Sequence, residues 1–171
     1  MIETERLMLV PLDAEQMKLL VKDTPAFEKM LECVYAGENP DEAFCQTWAQ
    51  QIGIAELDPQ KEGWHSTWAI LEKQNREMAG MICFRNLPDE NWITEVGFGL
   101  GEGARRRGLM TEALNAVCEW ALSQPKVARI VAETDPDNFP AETVLKACGF
   151  YAYARARTNW WIRLTNKEKS F

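Results

Sequence analysis

No stretch of this sequence approaches the roughly 20 apolar residues that a helix needs to cross a bilayer, so no membrane partner is expected. The opening Met-Ile-Glu-Thr-Glu-Arg is charged and no apolar h-region follows, which argues against a secretory signal. Histidine is nearly absent, with His65 alone. The five cysteines, at 33, 45, 83, 118 and 148, form no CxxC pair and no Cys/His metal spacing. No metal is therefore expected, and the odd, scattered thiols read as reduced, in a cytoplasmic protein. Gly-Lys-Ser/Thr is also missing, which excludes a Walker A loop. There is no internal repeat, linker or low-complexity tract, and 171 residues make one domain, 1–171.

What is present is apolar mass and an uneven charge. Apolar residues are 46% of the chain, enough to close one core, with seven Trp and seven Phe as large anchors. Residues 1–63 carry thirteen acids against five bases, a net of −8; residues 64–171 carry thirteen against fourteen, a net of +1. Nucleic acid is a poor partner for so acidic an N-terminal third. That third suits a cationic partner, or is a solvated acidic surface that serves solubility.

The pattern along the chain alternates strands and helices. Residues 5–12 read as a strand with apolar character on both faces. Asp13 reads as the N-cap of a helix to Val21. Further helices are expected over 25–34, with Pro25 at the start, and from Asn39-Pro40-Asp41 to Leu57. Residues 67–71, 78–85 and 92–100 read as three strands with short turns, an antiparallel meander. A Gly- and Arg-rich loop then leads to a helix over 109–122 with Met110, Leu114, Val117 and Ala121 as its apolar stripe. A strand over 127–134 follows this strand–loop–helix unit and should lie parallel to 92–100. A short helix over 138–148 ends at Gly149, and 151–155 with 160–164 close a hairpin. The expected fold is α+β, with a mixed sheet.

The most informative segment is Leu100-Gly-Glu-Gly-Ala-Arg-Arg-Arg-Gly-Leu-Met-Thr111. It opens a helix, whose unpaired N–H groups and positive dipole end suit a phosphate or pyrophosphate. Gly108 lets the backbone approach an anion closely, and Arg105, Arg106 and Arg107 add guanidinium donors. Gly99, Gly101 and Ala104 also meet the dinucleotide pattern G-x-G-x-x-G/A, but only one strand–helix–strand unit is present. A solvated loop that binds nothing is the bland alternative. Glu112, one turn into the helix, is placed to cap it.

At these residues the sequence resembles the GNAT superfamily of N-acetyltransferases, whose pyrophosphate signature is Arg/Gln-x-x-Gly-x-Gly/Ala. The matching run is Arg105-Arg106-Arg107-Gly108-Leu109-Met110, with Met110 in place of a small residue. Thr111-Glu112-Ala113 and the opening Glu3-Thr4-Glu5-Arg6-Leu7-Met8-Leu9 resemble the RimJ/RimL-like subgroup, which acetylates ribosomal protein N-termini. Asn138 followed by Cys148-Gly149-Phe150 resembles the family's Asn…Gly-Phe signature. The four matches stand in the expected order and cover nearly the whole chain.

The resemblance implies a single GNAT domain with two splayed parallel strands, helices on both faces and a C-terminal hairpin. It implies acetyl-CoA as co-substrate, with pantetheine and thioester along Phe98, Gly99 and Leu100. Pyrophosphate would meet the main chain from Arg106 to Met110, flanked by Arg105 and Thr111, and Asn138 would contact the pantetheine. An amine with a pKa near 10.4 must lose a proton to attack a thioester. Glu95, inside a strand and off the face of Trp92, Thr94, Val96 and Phe98, is the candidate base, with Glu133 and Asp135 in reserve. The family's Tyr and Ser proton donors are matched by Leu145 and Ala141. Tyr151 or Tyr153, a water, or unaided departure of the thiolate would replace them. Their absence also leaves open an acetyl-CoA-binding sensor without fast turnover. Cys148 reads as a buried helix-end residue. The acids Asp13, Glu15, Asp23, Glu28, Glu32, Glu38, Asp41 and Glu42 are read as one wall of a groove for a cationic amine, such as a basic protein N-terminus, a polyamine or an aminoglycoside. A homodimer is compatible with this reading.

Overall fold

Leu7 and Leu9 alternate with Met8 and Val10, and the strand they build is covered on both sides. In the computed structural model, which describes residues 1–37, 42–57 and 64–165 (backbone alone for 42–44), this is β2, Leu7–Pro11, after a two-residue β1, Ile2–Glu3. Leu7 and Leu9 enter one core while Met8 and Val10 pack against a second. Helix α1, Ala14–Lys22, starts at Asp13, which forms a capping box with Gln16. Helix α2, Thr24–Leu31, starts at Asp23.

Helix α2 stops short of the expected Val34. Glu32 turns left-handed at φ 50°, and Arg76 ties off the end by donating to the carbonyls of Leu31 and Glu32, both at 2.9 Å. Val34–Tyr35 leaves as a short β3, parallel to β5, Glu77–Phe84. Helix α3, Glu42–Leu57, follows; its expected opening at Asn39-Pro40-Asp41 lies outside the described residues.

The meander is β4, Thr67–Glu72, then β5, then β6, Ile93–Leu100, all antiparallel. Strand β6 starts one residue later than the pattern suggests because Trp92 sits at φ 62°. After a single 3₁₀ turn, Glu102–Ala104, comes α4, Leu109–Ser123. Strand β7, Arg129–Thr134, runs parallel to β6. Helix α5, Phe139–Ala147, and the hairpin of β8, Tyr151–Arg155, and β9, Asn159–Leu164, are the last described elements. The sheet order is β1-β2-β4-β5-β6-β7-β9-β8, with β3 beside β5. Helices α4 and α5 cover one face, where Leu114, Val117 and Leu145 meet Ile82, Phe84 and Val96. Helices α1 to α3 cover the other, where Met17, Phe27 and Trp48 meet Leu71 and Met78. The fold is the α+β arrangement expected from the sequence, with helices on both faces of a mixed sheet.

Candidate active site

The parallel strands β6 and β7 are paired only over Ile93, Thr94 and Glu95 against Arg129, Ile130 and Val131. Beyond that point β6 stays with β5 as far as Leu100 opposite Gly80, and β7 stays with β9 as far as Thr134 opposite Asn159. The two strands therefore part after Glu95. Arg85 N donates to Glu95 O at 2.8 Å, and Gly101 N donates to Ala79 O at 3.0 Å. Main-chain groups alternate sides along an antiparallel ladder. The odd-numbered residues of β6 thus address β5, and Val96, Phe98 and Leu100 turn their amides and carbonyls into the gap. Arg105 Nε donates to the carbonyl of Leu100 at 3.1 Å at the end of that gap.

Helix α4 begins just beyond. Its N-cap is Gly108, at φ 77°, and no side chain caps it. Its first N–H groups are left to accept an anion, aided by the helix dipole. Arg106, at φ 60°, is a second left-handed residue two positions earlier, a strained conformation of the kind that functional loops hold. The loop is anchored from three directions. Arg107 makes a two-pronged pair with Glu72, at 2.8 and 2.6 Å. Arg6 Nη1 donates to the Arg107 carbonyl at 2.8 Å, and its Nε to Glu112 Oε2 at 2.7 Å.

Two expectations change here. Glu112 does not cap its own helix: it accepts from the Thr4 hydroxyl and from the Arg6 backbone and guanidinium. These bonds hold its carboxyl below the usual range, although burial alone would raise it. Arg107 likewise spends its charge on Glu72, so Arg105 and Arg106 are the loop's remaining guanidinium groups. The departure at Met110 has a simple reason. Its side chain is buried with Leu109 in the α4 core, so its bulk does not fill the loop. Thr111 offers its carbonyl to the Cys148 thiol at 3.4 Å. Burial pushes that thiol up to about 11, which fits a helix-end residue and leaves little thiolate for a nucleophile.

On the α1–α3 face lies a cavity of about 440 Å³, lined by Tyr35, Trp48, Met78, Met81 and, from β6 onward, Phe98 to Gly101. Its charged lining side chains, among the described residues, are Arg85 and Arg105. Arg85 belongs to the cavity lining and Glu95 stands beside it, outside that lining, with Arg85 Nη1 3.4 Å from Glu95 Oε1. Burial raises the Glu95 carboxyl above its ordinary value, opposed by Arg85 and assisted by Glu133. At Gly97 a Cβ would come within 2.9 Å of Arg85 Nε, so the Arg85 side chain would have to shift. At Gly99 a Cβ would meet open space.

The remaining expected residues are scattered. Asn138 caps α5, its side chain accepting from Ala141 N at 3.1 Å, and Leu145 is fully buried. Tyr151 lies in the same row as Glu95, through Val131 and Ile162. That is three strand spacings away, about 14 Å, and Tyr151 is 52% exposed. The fold does not bring it to the gap. Among the described residues none of the N-terminal acids lines the cavity on the α1–α3 face, while Asp13 and Glu15 border a separate hollow between α1 and α3. Asp13 and Asp23 are helix caps, Glu15 pairs with Lys18, and Glu28 accepts from Tyr35 N. Glu38, Asp41 and the side chain of Glu42 lie outside the described residues. Arg85, Glu72 and Arg6 escaped the sequence reading; the only trace of the first was an Arg on the strand before a Gly-rich one. Among the described residues no cluster of His, Cys, Asp or Glu could hold a metal ion, and no helix is long and apolar enough to cross a membrane.

A parted parallel pair, an uncapped helix behind an Arg-x-x-Gly loop and a cavity on the α1–α3 face thus lie together on one sheet. The acetyltransferase (GNAT) domain profile matches residues 6–151. An uncharacterized N-acetyltransferase of Bacillus subtilis, YjdG, is 31% identical over 96% of this chain and 98% of its own length. The ribosomal-protein-S5-alanine acetyltransferase of Vibrio fischeri has a similar fold, with TM-score 0.69 at 16% identity over 99% and 98% of the two chains. The spermidine N-acetyltransferase of Vibrio cholerae, solved with CoA and spermine, gives 0.65 at 10% identity over 96% and 98%. The chain belongs to the GNAT family of acetyltransferases and is an N-acetyltransferase.

Proposed function

We propose that the chain transfers acetyl from acetyl-CoA to a primary amine by direct attack, with Glu95 as the general base. The parting of β6 from β7 after Glu95 carries this reading, because it sets free main-chain groups and a carboxylate beside one opening. The donor's pyrophosphate lies on the amides from Arg106 to Thr111, flanked by Arg105. Its pantetheine runs along Phe98, Gly99 and Leu100, towards Asn138. The acceptor enters from the cavity on the α1–α3 face. Its ammonium passes a proton to Glu95, directly or through a water, and the free nitrogen attacks the thioester carbon. A C–N bond forms, the C–S bond breaks with its electron pair leaving on sulfur, and the nitrogen's second proton passes to the departing thiolate. A thiol with a pKa near 8.5 is an adequate leaving group without a side-chain acid, which suits a site where Leu145 and Ala141 stand in the donor positions and Tyr151 is remote. Reduced thiols and this donor suit a cytoplasmic enzyme.

The neighbours named above act on a ribosomal protein and on spermidine, so the acceptor panel spans peptide N-termini, polyamines, aminoglycosides and amino acids. Thiol release from acetyl-CoA with at least one of these, and a mass gain of one acetyl on the amine, is expected. Acetyl-CoA binding with no release across the panel would overturn the reading in favour of a sensor.

A further inference from the structure

We infer that the acceptor is a free α-amino acid with an apolar side chain, its carboxylate held by Arg85 and its amine by Glu95. The inference rests on the acetyl-transfer reading above and names the substrate class of that same cavity. Arg85 follows β5 directly, and its backbone bond to Glu95 puts the two side chains side by side on one face of the sheet. Its guanidinium passes over Gly97, with Nε and Nη2 at 2.9 and 3.4 Å from where a Cβ would sit. A side chain at Gly97 would push the guanidinium from this position. The 3.4 Å separation from Glu95 Oε1 is longer than the 2.7–2.9 Å of a good charge-assisted bond. Among the described residues it is Arg85's one charged contact, so the guanidinium fork keeps its donors for a ligand.

The pair therefore presents a positive group in the cavity lining and a negative group 3.4 Å behind it. An α-amino acid zwitterion carries the complementary pair at similar spacing. Its ammonium meets Glu95, the group that must take its proton, and its carboxylate meets a planar fork suited to two-pronged binding. The rest of the lining is largely apolar, with Tyr35, Trp48, Met78 and Met81 available to a hydrophobic side chain. About 440 Å³ is within the range of small-molecule sites. A polyamine would instead bring its second cation against Arg85 or Arg105, a like-charge cost.

The test is kcat/KM for leucine, leucinamide, isoamylamine and spermidine with wild type and Arg85→Gln, followed by thiol release. Leucinamide has a less basic amine than leucine and isoamylamine a more basic one, so amine basicity is bracketed. Wild type should prefer leucine over both by about tenfold or more. Arg85→Gln should bring the ratios to within about threefold of one, with coenzyme A binding unchanged. A wild type that acetylates leucinamide, isoamylamine or spermidine as well as leucine overturns the inference and leaves acetyl transfer standing. A preference that survives in Arg85→Gln overturns the assignment of Arg85. Bound acetyl-CoA with no release to any amine overturns the transfer reading, and this inference with it.

Discussion

The two ends of the site are built differently. At the α4 end the loop is pinned by Arg6, Glu72, Arg107 and Glu112, and what it offers a ligand is main chain. At the cavity end, Glu95 and Arg85 touch each other only at 3.4 Å, and what is offered is side chain. A backbone surface is insensitive to most substitutions and suits a ligand part that never varies, such as a diphosphate. A side-chain surface is redrawn by single substitutions, so it is where an acceptor is chosen. The two ends should fail in different ways when altered.

The largest expected effect is at the pinned end. Gly108→Val places a β-branched residue at φ 77° and crowds Arg6. Coenzyme A affinity should fall by about 100-fold or more, read by calorimetry, with far-UV circular dichroism unchanged. Affinity within a few-fold of wild type would remove the diphosphate from this loop. At the open end, Glu95→Gln should lower kcat by about 10² to 10³-fold and leave coenzyme A affinity alone; an unchanged kcat would dismiss Glu95 as the base.

Next in size is a loss of stability without loss of chemistry. Glu112→Gln leaves Arg6 and Thr4 short of a carboxylate and should cost about 2 kcal/mol, a fall in Tm of about 4–8 °C. The Glu112 carboxyl is lowered in the folded state. Its contribution is therefore complete above the ordinary carboxylate range and disappears as pH falls through the lowered value. Wild type and variant should converge in acid melts; a constant gap at every pH would contradict the clamp.

Two smaller effects sharpen the open end. Glu95 is raised by burial, and in the proposed mechanism it acts as the base in its ionised form. The acid limb of kcat/KM should therefore lie above the ordinary carboxyl range. Arg85 favours the ionised form, so Arg85→Gln should move that limb to higher pH; movement the other way would show that another group titrates. Tyr151→Phe should change kcat by no more than about twofold, since the position lies about 14 Å along the sheet from Glu95. A large drop would restore the tyrosine as proton donor.

Much of the scaffold was legible in the chain. Apolar residues on both faces of β2, Asp13 before α1 and the Arg-x-x-Gly run before α4 are local signals, and each marked its element. The end of α2 was not legible, because Arg76, more than forty residues on, caps it. Gly97 illustrates the same limit. Arg85, just after β5, lies where a Cβ at Gly97 would sit, and nothing close to Gly97 in the chain signals it.

The sequence alone determined the element order, the single domain, the family and the glycine that must open α4, since each depends on residues within a few positions of one another. Tertiary structure decided that β6 and β7 part after Glu95, that Glu112 turns to Thr4 and Arg6, and that Arg85 lies beside Glu95 at the cavity rim. Those outcomes depend on strand register and on partners 10 to more than 100 positions apart, distances over which hydrophobic periodicity carries no information.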